Sequence, residues 1–232
     1  MMIRIFFSLV FWLLHVSNSA QVNFNWAKGI IGLGGSANSR AMIIDAASNI
    51  YTTGDFQGRY DFNPGSDTFY ISSNGSSDIY ISKLDSSGNF LWAKKIGSTG
   101  FDESYSLASD GAGNIYITGS YTGTVDFNAD TGTYSLTSAG SEDIFIAKYS
   151  QAGNFIWAKT MGGSSMDRGY SVHTDATGSV YTTGVFRGST DFDPSGSNFS
   201  LTSSGLDDIF VTKHNTNGNF IWAKQLGGKG NE

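Results

Sequence analysis

An all-β fold assembled from repeated four-stranded units is what this sequence predicts, and three observations predict it. The triplet WAK begins at Trp26, Trp92, Trp157 and Trp222, at spacings of 66, 65 and 65 residues, and self-similarity at a fixed period marks a repeat architecture. Between the triplets lie short runs rich in Ile, Val, Phe, Tyr and Thr, bounded by Gly, Asn, Asp and Ser, which is how strands read. Several of these runs are apolar on both faces, as at Ile144, Phe145 and Ile146, so each sheet is expected to be covered on both sides. A four-stranded unit at fixed period, covered by its neighbours, describes a β-propeller blade. The prediction is a partial β-propeller of about three 65-residue, four-stranded blades, each with an inserted hairpin. A β-solenoid is the alternative. Its coils repeat at a shorter period, whereas Tyr51, Tyr116 and Tyr181 each stand 41 residues before the next tryptophan.

In chain order, residues 1–20 read as a secretory signal peptide: Arg4, an apolar run at 5–16, then Ser17, Asn18, Ser19 and Ala20. The run is shorter than the roughly 20 apolar residues of a spanning helix, so cleavage after Ala20 would leave a chain with no membrane insertion. Residues 21–232 form the repeat region, with units of about 26–91, 92–156 and 157–221, and 222–232 starting a truncated further unit. The second unit reads as four strands: SYSLASD at 104–110, NIYITGSY at 114–121, DIFIAKY at 143–149 and NFIWAKTMG at 154–162. GAG and SQAGN supply turns, and TVDF with TYSLTS supplies the inserted hairpin between the second and third strands. The extra residue of the first unit falls before Tyr51, near GIIGLGGSANS. An NFNWAK strand at the start would complete the last blade of a closed ring, and GGKGNE at the end stops just before a first strand. The expectation is a fragment whose remaining blades lie in a longer chain, or a chain that assembles with other copies.

Residues that recur in every unit are read as structural. Trp92, Phe90 and their equivalents are expected to wedge between adjacent blades, each burial being worth roughly 1.5–3 kcal/mol. Ser82, Ala147 and Thr212 are small enough to let sheets approach. Gly88, Gly153 and Gly218, each followed by asparagine, suit a tight turn that needs positive φ. Asp78, Asp143 and Asp208 recur on a strand, as do Lys83, Lys148 and Lys213. An inter-blade ion pair or an aspartate-to-backbone turn bond would explain them.

One recurring motif also resembles a calcium loop. DFNPGSD at 61–67, DFNADTG at 126–132 and DFDPSGS at 191–197 place oxygen ligands at alternate residues. A calcium loop of this kind ends in a glutamate at position 12, where this chain has Ser72, Thr137 and Thr202. Only the second unit carries a full acidic trio, Asp126, Asn128 and Asp130, and these are the candidate calcium ligands. The features common to all three copies are the leading Asp-Phe and an Asn or Asp two places on, with Pro64 and Pro194 presetting a bend. A turn in which the Asx side chain satisfies its own backbone is the simpler role.

GNFIWAKTMGG, SVHTDATGSVYTTGVF and DFDPSGSNFSLTSSGLDDIFVTKH follow one another in the third unit. Together they resemble the bacterial β-propeller repeat family called SBBP, over residues 22–232. The resemblance implies a propeller on a secreted or cell-surface bacterial protein and no defined catalytic activity. KLDSSGNFLW at 83–92 is similar to the blade motif of the pyrroloquinoline-quinone dehydrogenases. Asp85 to Gly88 is one residue short of that motif, Asn215 stands at the aspartate's place in the third unit, and the chain has no cysteine. That likeness implies shared blade packing and no quinone.

The chain is acidic, with a formal charge of −6 that becomes −7 once Arg4 is removed, which argues against nucleic acid and anionic membrane surfaces as partners. A residue found in every unit builds that unit, so a functional residue should break the pattern. The pattern-breakers noted are His173, His214, Arg59, Arg168 and Arg187. No G-x-S-x-G elbow, H-E-x-x-H motif or Cys/His cluster occurs. The reading is a secreted or cell-surface, non-catalytic binding or structural module with no cofactor and a protein or glycan partner. One alternative is a lectin-like carbohydrate binder assisted by calcium. Another is part of an enzyme whose catalytic residues lie outside this chain.

Overall fold

The computed structural model describes residues 25–230. The signal-peptide reading of 1–20, and Asn231 and Glu232, lie outside the described residues. The described chain is all-β, with no helix. The first four-stranded unit consists of β1 (Ile31–Ile44), β2 (Ile50–Asp61), β4 (Asp78–Leu84) and β5 (Phe90–Ile96), with the short β3 (Tyr70–Ser72) paired to β2. The second contains β6 (Glu103–Ser109), β7 (Ile115–Tyr121), β10 (Asp143–Tyr149) and β11 (Phe155–Gly163), and its insertion is the hairpin β8 (Thr124–Asp126) with β9 (Ser135–Thr137). The third contains β12 (Asp167–Thr174), β13 (Val180–Asp191), β14 (Ser200–His214) and β15 (Phe220–Leu226). Within each unit the strands pair antiparallel in chain order. Trp92, Trp157 and Trp222 lie on the fourth strands, so a sequence period counted from tryptophan is one strand out of phase with the sheets.

One turn design closes all six hairpins. Asp45, Asp110 and Asp175 each accept, through Oδ1, the backbone N–H groups two and four residues on. Asp85 and Asn215 repeat this between the third and fourth strands, and Ser150 takes the place in the second unit. The fourth loop residue has positive φ each time: 80° at Gly113, 79° at Gly178, 76° at Gly88, 83° at Gly153, 75° at Gly218, and 62° at Ser48. Glycine enters that region without a Cβ penalty, and the short Asx side chain supplies the turn bond.

The units stack face to face. Tyr51, Ile79, Ile81 and Ile96 of the first unit pack on Leu107, Ile117, Phe145 and Ala147 of the second. Tyr116, Ile144, Ile146 and Met161 of the second pack on Val172, Val180, Phe210 and Ala223 of the third. Each inserted hairpin folds back over its own sheet. Phe62 and Phe192, just after β2 and β13, and Phe127, just after β8, are buried and lie 5.2, 5.0 and 5.1 Å from Tyr80, Phe210 and Phe145. Parallel bridges Ser77↔Phe101 and Glu142↔Met166 tie each unit to the next.

Two sequence expectations need correction. NFNWAK was read as a strand, but residues 25–30 carry no strand pairing and run irregularly along the outer face of the first unit. Phe90 and Trp92 were expected to wedge the same seam. A register shift beside Leu91 puts them on opposite faces, because a bulge changes the two-residue alternation of a strand. Trp92 faces the second unit, while Phe90 stacks 4.9 Å from Phe69 of its own insertion. Phe155 on Tyr134 and Phe220 on Phe199 repeat the arrangement.

Candidate functional site on the first strands

The recurring aspartates close turns within each unit, and two of the recurring lysines bridge the seams between units. Asp78, Asp143 and Asp208 are buried and accept, through Oδ2, the N–H of Asn74 at 2.8 Å, Ala139 at 2.9 Å and Ser204 at 3.0 Å. These are aspartate-to-backbone turn bonds. Lys83 and Lys148 reach across the seam instead: each Nζ donates, at 3.3 Å, to a hairpin carbonyl of the next unit, that of Gln151 and of Thr216. Each ammonium also lies over a tyrosine ring, Lys83 at 4.8 Å from Tyr51 and Lys148 at 4.9 Å from Tyr116. Lys213 lies 5.0 Å from the Tyr181 ring and 3.8 Å from Asp175.

The candidate calcium ligands sit in the turn of the second insertion. Asp126 Oδ1 accepts the N–H of Asn128 at 3.0 Å and of Tyr134 at 2.8 Å. Asn128 Oδ1 accepts the N–H of Asp130 at 3.1 Å. Asp130 pairs with Lys94 of the first unit and accepts the Phe155 N–H at 3.1 Å. Asp61 with Asn63, and Asp191 with Asp193, make the same turn bonds. Among the described residues no group of three or more His, Asp or Glu side chains is arranged to hold a metal.

A different set of residues converges where the first strands β1, β6 and β12 pack side by side. Each of these strands has a register shift, beside Arg40, Tyr105 and Tyr170 respectively. The three bulged residues form a ladder across all three units. The Arg40 guanidinium lies 5.4 Å from the Tyr105 ring centroid, and Tyr105 meets Tyr170 edge-on at 5.3 Å. Carboxylates flank the ladder. Arg40 and Asn38 share Asp55, at 3.0 and 2.8 Å. The Tyr105 hydroxyl donates to Glu103. Arg168 grips Glu142 with two bonds of 2.6 and 2.8 Å, and Arg187 pairs with Asp207 at 2.6 Å.

The bulge positions align across the units, so Tyr105 and Tyr170 occupy one repeat position, where the first unit has Arg40, and Glu142 and Asp207 are equivalent acids. Glu103 and Glu142 are the only glutamates among the described residues, and Arg40, Glu103, Arg168 and Arg187 have no like charge at their equivalent positions. The Arg168 hydrogen bonds hold the Glu142 carboxyl below its usual range and raise the Arg168 guanidinium further. Burial, then Glu103, pushes the Tyr105 hydroxyl up. Each arginine of the stripe is therefore paired with a carboxylate, and the Tyr105 phenol stays protonated at neutral pH. Tyr170 is exposed. Aromatic edges beside paired charges offer contact area and hydrogen-bonding groups at this surface.

Of the pattern-breakers read from sequence, Arg168 and Arg187 belong to this stripe. Arg59 stacks 4.1 Å from Tyr70 in the first insertion, His173 is exposed on β12, and His214 is buried in the third unit. Arg40, Glu103, Tyr105, Glu142 and Tyr170 were missed. The isolated glutamates were a usable signal in an aspartate-rich chain. The bulges that aim Arg40 and the two tyrosines were not, since they arise from pairing.

No family model matches the chain. It is similar to an uncharacterized WD repeat-containing protein of Acanthamoeba polyphaga mimivirus, with 34% identity over 174 residues, which is 69% of this chain and 12% of that protein. It is also similar to the regulatory protein FlaEY of Caulobacter vibrioides, with 28% identity over 126 residues, 53% of this chain and 13% of that protein. The chain thus spans about an eighth of the length of the curated relatives it matches. The fixed repeat, the stack of antiparallel four-stranded sheets and the likeness to a WD repeat-containing protein make this a β-propeller-like repeat protein.

Proposed function

We propose that the chain is a non-catalytic binding module of an exported, cell-surface or secreted β-propeller protein, with the stripe Arg40–Tyr105–Tyr170 as its contact surface and a polypeptide segment as its ligand. The observation that supports this reading is the convergence of Arg40, Tyr105 and Tyr170 in one ladder, flanked by the unit-specific charges Glu103, Arg168 and Arg187. Tyrosine and arginine are the side chains that anchor protein interfaces, offering large contact area and fixed donors. The pairing of Arg40, Arg168 and Arg187 with carboxylates leaves little free positive charge in the stripe for a polyanion, which agrees with a net charge of −6. Export rests on the basic, apolar and small-residue sequence of 1–20, and kinship with SBBP proteins rests on the ordered motifs of the third unit.

Residues 21–232 can be screened on a displayed peptide library and on a glycan array, each with and without calcium. Selected peptides should lose about tenfold or more in affinity in Tyr170→Ala, about 1.4 kcal/mol or more, with thermal denaturation unchanged. Glycan hits that require calcium and ignore Tyr170 would favour the lectin-like alternative. Turnover of a bound ligand by a longer chain would favour the enzyme alternative.

A further inference from the structure

We propose that the outer face of the third unit docks on the outer face of the first unit in a second copy of the chain, and that residues 25–30 are a plug that must leave before it can. This goes beyond the ligand-binding reading and does not depend on it. The two internal seams provide the template. At each, the tryptophan of one unit lies on the hairpin glycine of the next. A Cβ on Gly153 would come within 3.1 Å of the Trp92 ring, and one on Gly218 within 3.1 Å of Trp157. At each, a lysine also donates to the hairpin carbonyl two residues before that glycine.

The third unit carries the same outgoing set, Ile209, Trp222, Leu226 and Lys213, with no other unit against it among the described residues. Ile209 is 37% and Leu226 55% exposed, whereas Ile79 and Ile144 are 0% and Ile96 and Met161 are 1% exposed. The first unit carries the incoming set: the aromatic trio Phe56, Phe62 and Tyr80, the small Ser82, and the hairpin glycine Gly88. That slot is already used in cis. A Cβ on Gly88 would meet Trp26 at 3.2 Å, and Trp26 Nε1 donates to the Ser86 carbonyl at 3.3 Å, as Trp157 Nε1 does to Thr216 at 3.2 Å. Residues 25–30 therefore imitate the fourth strand of a preceding unit. Trp222 of one copy and Trp26 of the other need the same groove over Gly88, and Lys213 and Trp26 need the same Ser86 carbonyl.

The occupant that matches both faces is a unit of this same kind. A second copy supplies it through a head-to-tail contact, which either closes as a ring or continues as a filament. Because the plug lowers the fraction of competent heads, removing it should strengthen association, by roughly tenfold if the head is free about a tenth of the time.

Light scattering on residues 21–232 across a concentration series tests this. The expected result is a mass that rises with concentration, a rise that moves to lower concentration in Trp26→Ala, and a monomer in Ile209→Glu/Leu226→Glu, where both positions are exposed and folding is spared. Gly88→Asn should also be monomeric, because asparagine tolerates positive φ and fills the slot. Mixing these two monomeric variants should give a one-to-one dimer and nothing larger. A monomer at every concentration in both wild type and Trp26→Ala would overturn the proposal. So would a discrete dimer that survives Gly88→Asn, since that would be a tail-to-tail contact.

Discussion

At position 214 the third unit carries histidine where the second has Tyr149, whose hydroxyl donates to the Phe127 carbonyl at 2.8 Å. His214 is fully buried, edge-on to Phe220 at 5.9 Å, and neither ring nitrogen has a partner. Burial pushes its pKa down to about 4. The folded state therefore refuses a proton that the unfolded chain accepts near pH 6.5. The stability associated with the neutral ring is present above about pH 6.5 and is lost as pH falls toward 4. His214→Tyr installs the residue of the second unit and points a hydroxyl at the Phe192 carbonyl. An unpartnered buried polar group costs about 1–3 kcal/mol, so the variant should gain about 1–2 kcal/mol at pH 7.5 and more at pH 5. Thermal denaturation at the two pH values decides it. A gain no larger at pH 5 would mean that His214 does not titrate as buried.

The inserted hairpins behave as elements defined by their turns. Asp126 Oδ1 holds two backbone donors, and one of them, Tyr134, lies eight residues on, so this one side chain closes the loop that presents buried Phe127. Asp126→Ala should cost about 1–2 kcal/mol by freeing two N–H groups, and Asp61→Ala and Asp191→Ala should cost about as much. The loss should be the same with and without calcium in chemical denaturation. Stabilisation by calcium that vanishes in both Asp126→Ala and Asp130→Asn would instead establish a metal there. Elements of this kind were largely legible in the sequence. Apolar runs, turn glycines and Asx residues act within a few positions, and the six hairpins follow from them. Ser48 hid one of those turns because it occupies a glycine's conformation. What escaped was set by pairing across strands. The bulge at Leu91 separates Phe90 from Trp92, and those at Arg40, Tyr105 and Tyr170 aim the ladder. Neither has a sequence period to announce it.

Across the whole molecule, the seams store acid groups in low dielectric. Asp143 is 2% exposed, its Oδ1 has no partner, and a Cβ on neighbouring Gly162 would fall 2.1 Å from its Cγ, so only glycine leaves it room. Burial raises Asp143 to about 6, with the charge of Asp167 across the seam adding to the rise. At the other seam burial raises Asp102 to about 6 and also raises Asp78. A carboxyl whose folded pKa lies above its unfolded value near 3.8 contributes stability that is fully present below pH 4. That contribution is lost as pH rises through 6. The seams thus weaken over the pH range in which His214 relaxes, and the two effects oppose each other. Introducing His214→Tyr first removes the opposing titration. In that background Asp143→Asn keeps an acceptor for Ala139 and removes the buried charge. A shift of about two units corresponds to about 3 kcal/mol as an upper bound. The expected gain is on the order of 2 kcal/mol at pH 7.5 and near zero at pH 4.5. Asp102→Asn should follow the same pH course with a smaller gain, because three donated hydrogen bonds to its carboxylate are at stake. Denaturant titrations at the two pH values give both numbers. A loss of stability in Asp143→Asn at pH 7.5 would show that the seam holds Asp143 as a charged acceptor, and the pH dependence assigned to the stack would then have to come from elsewhere.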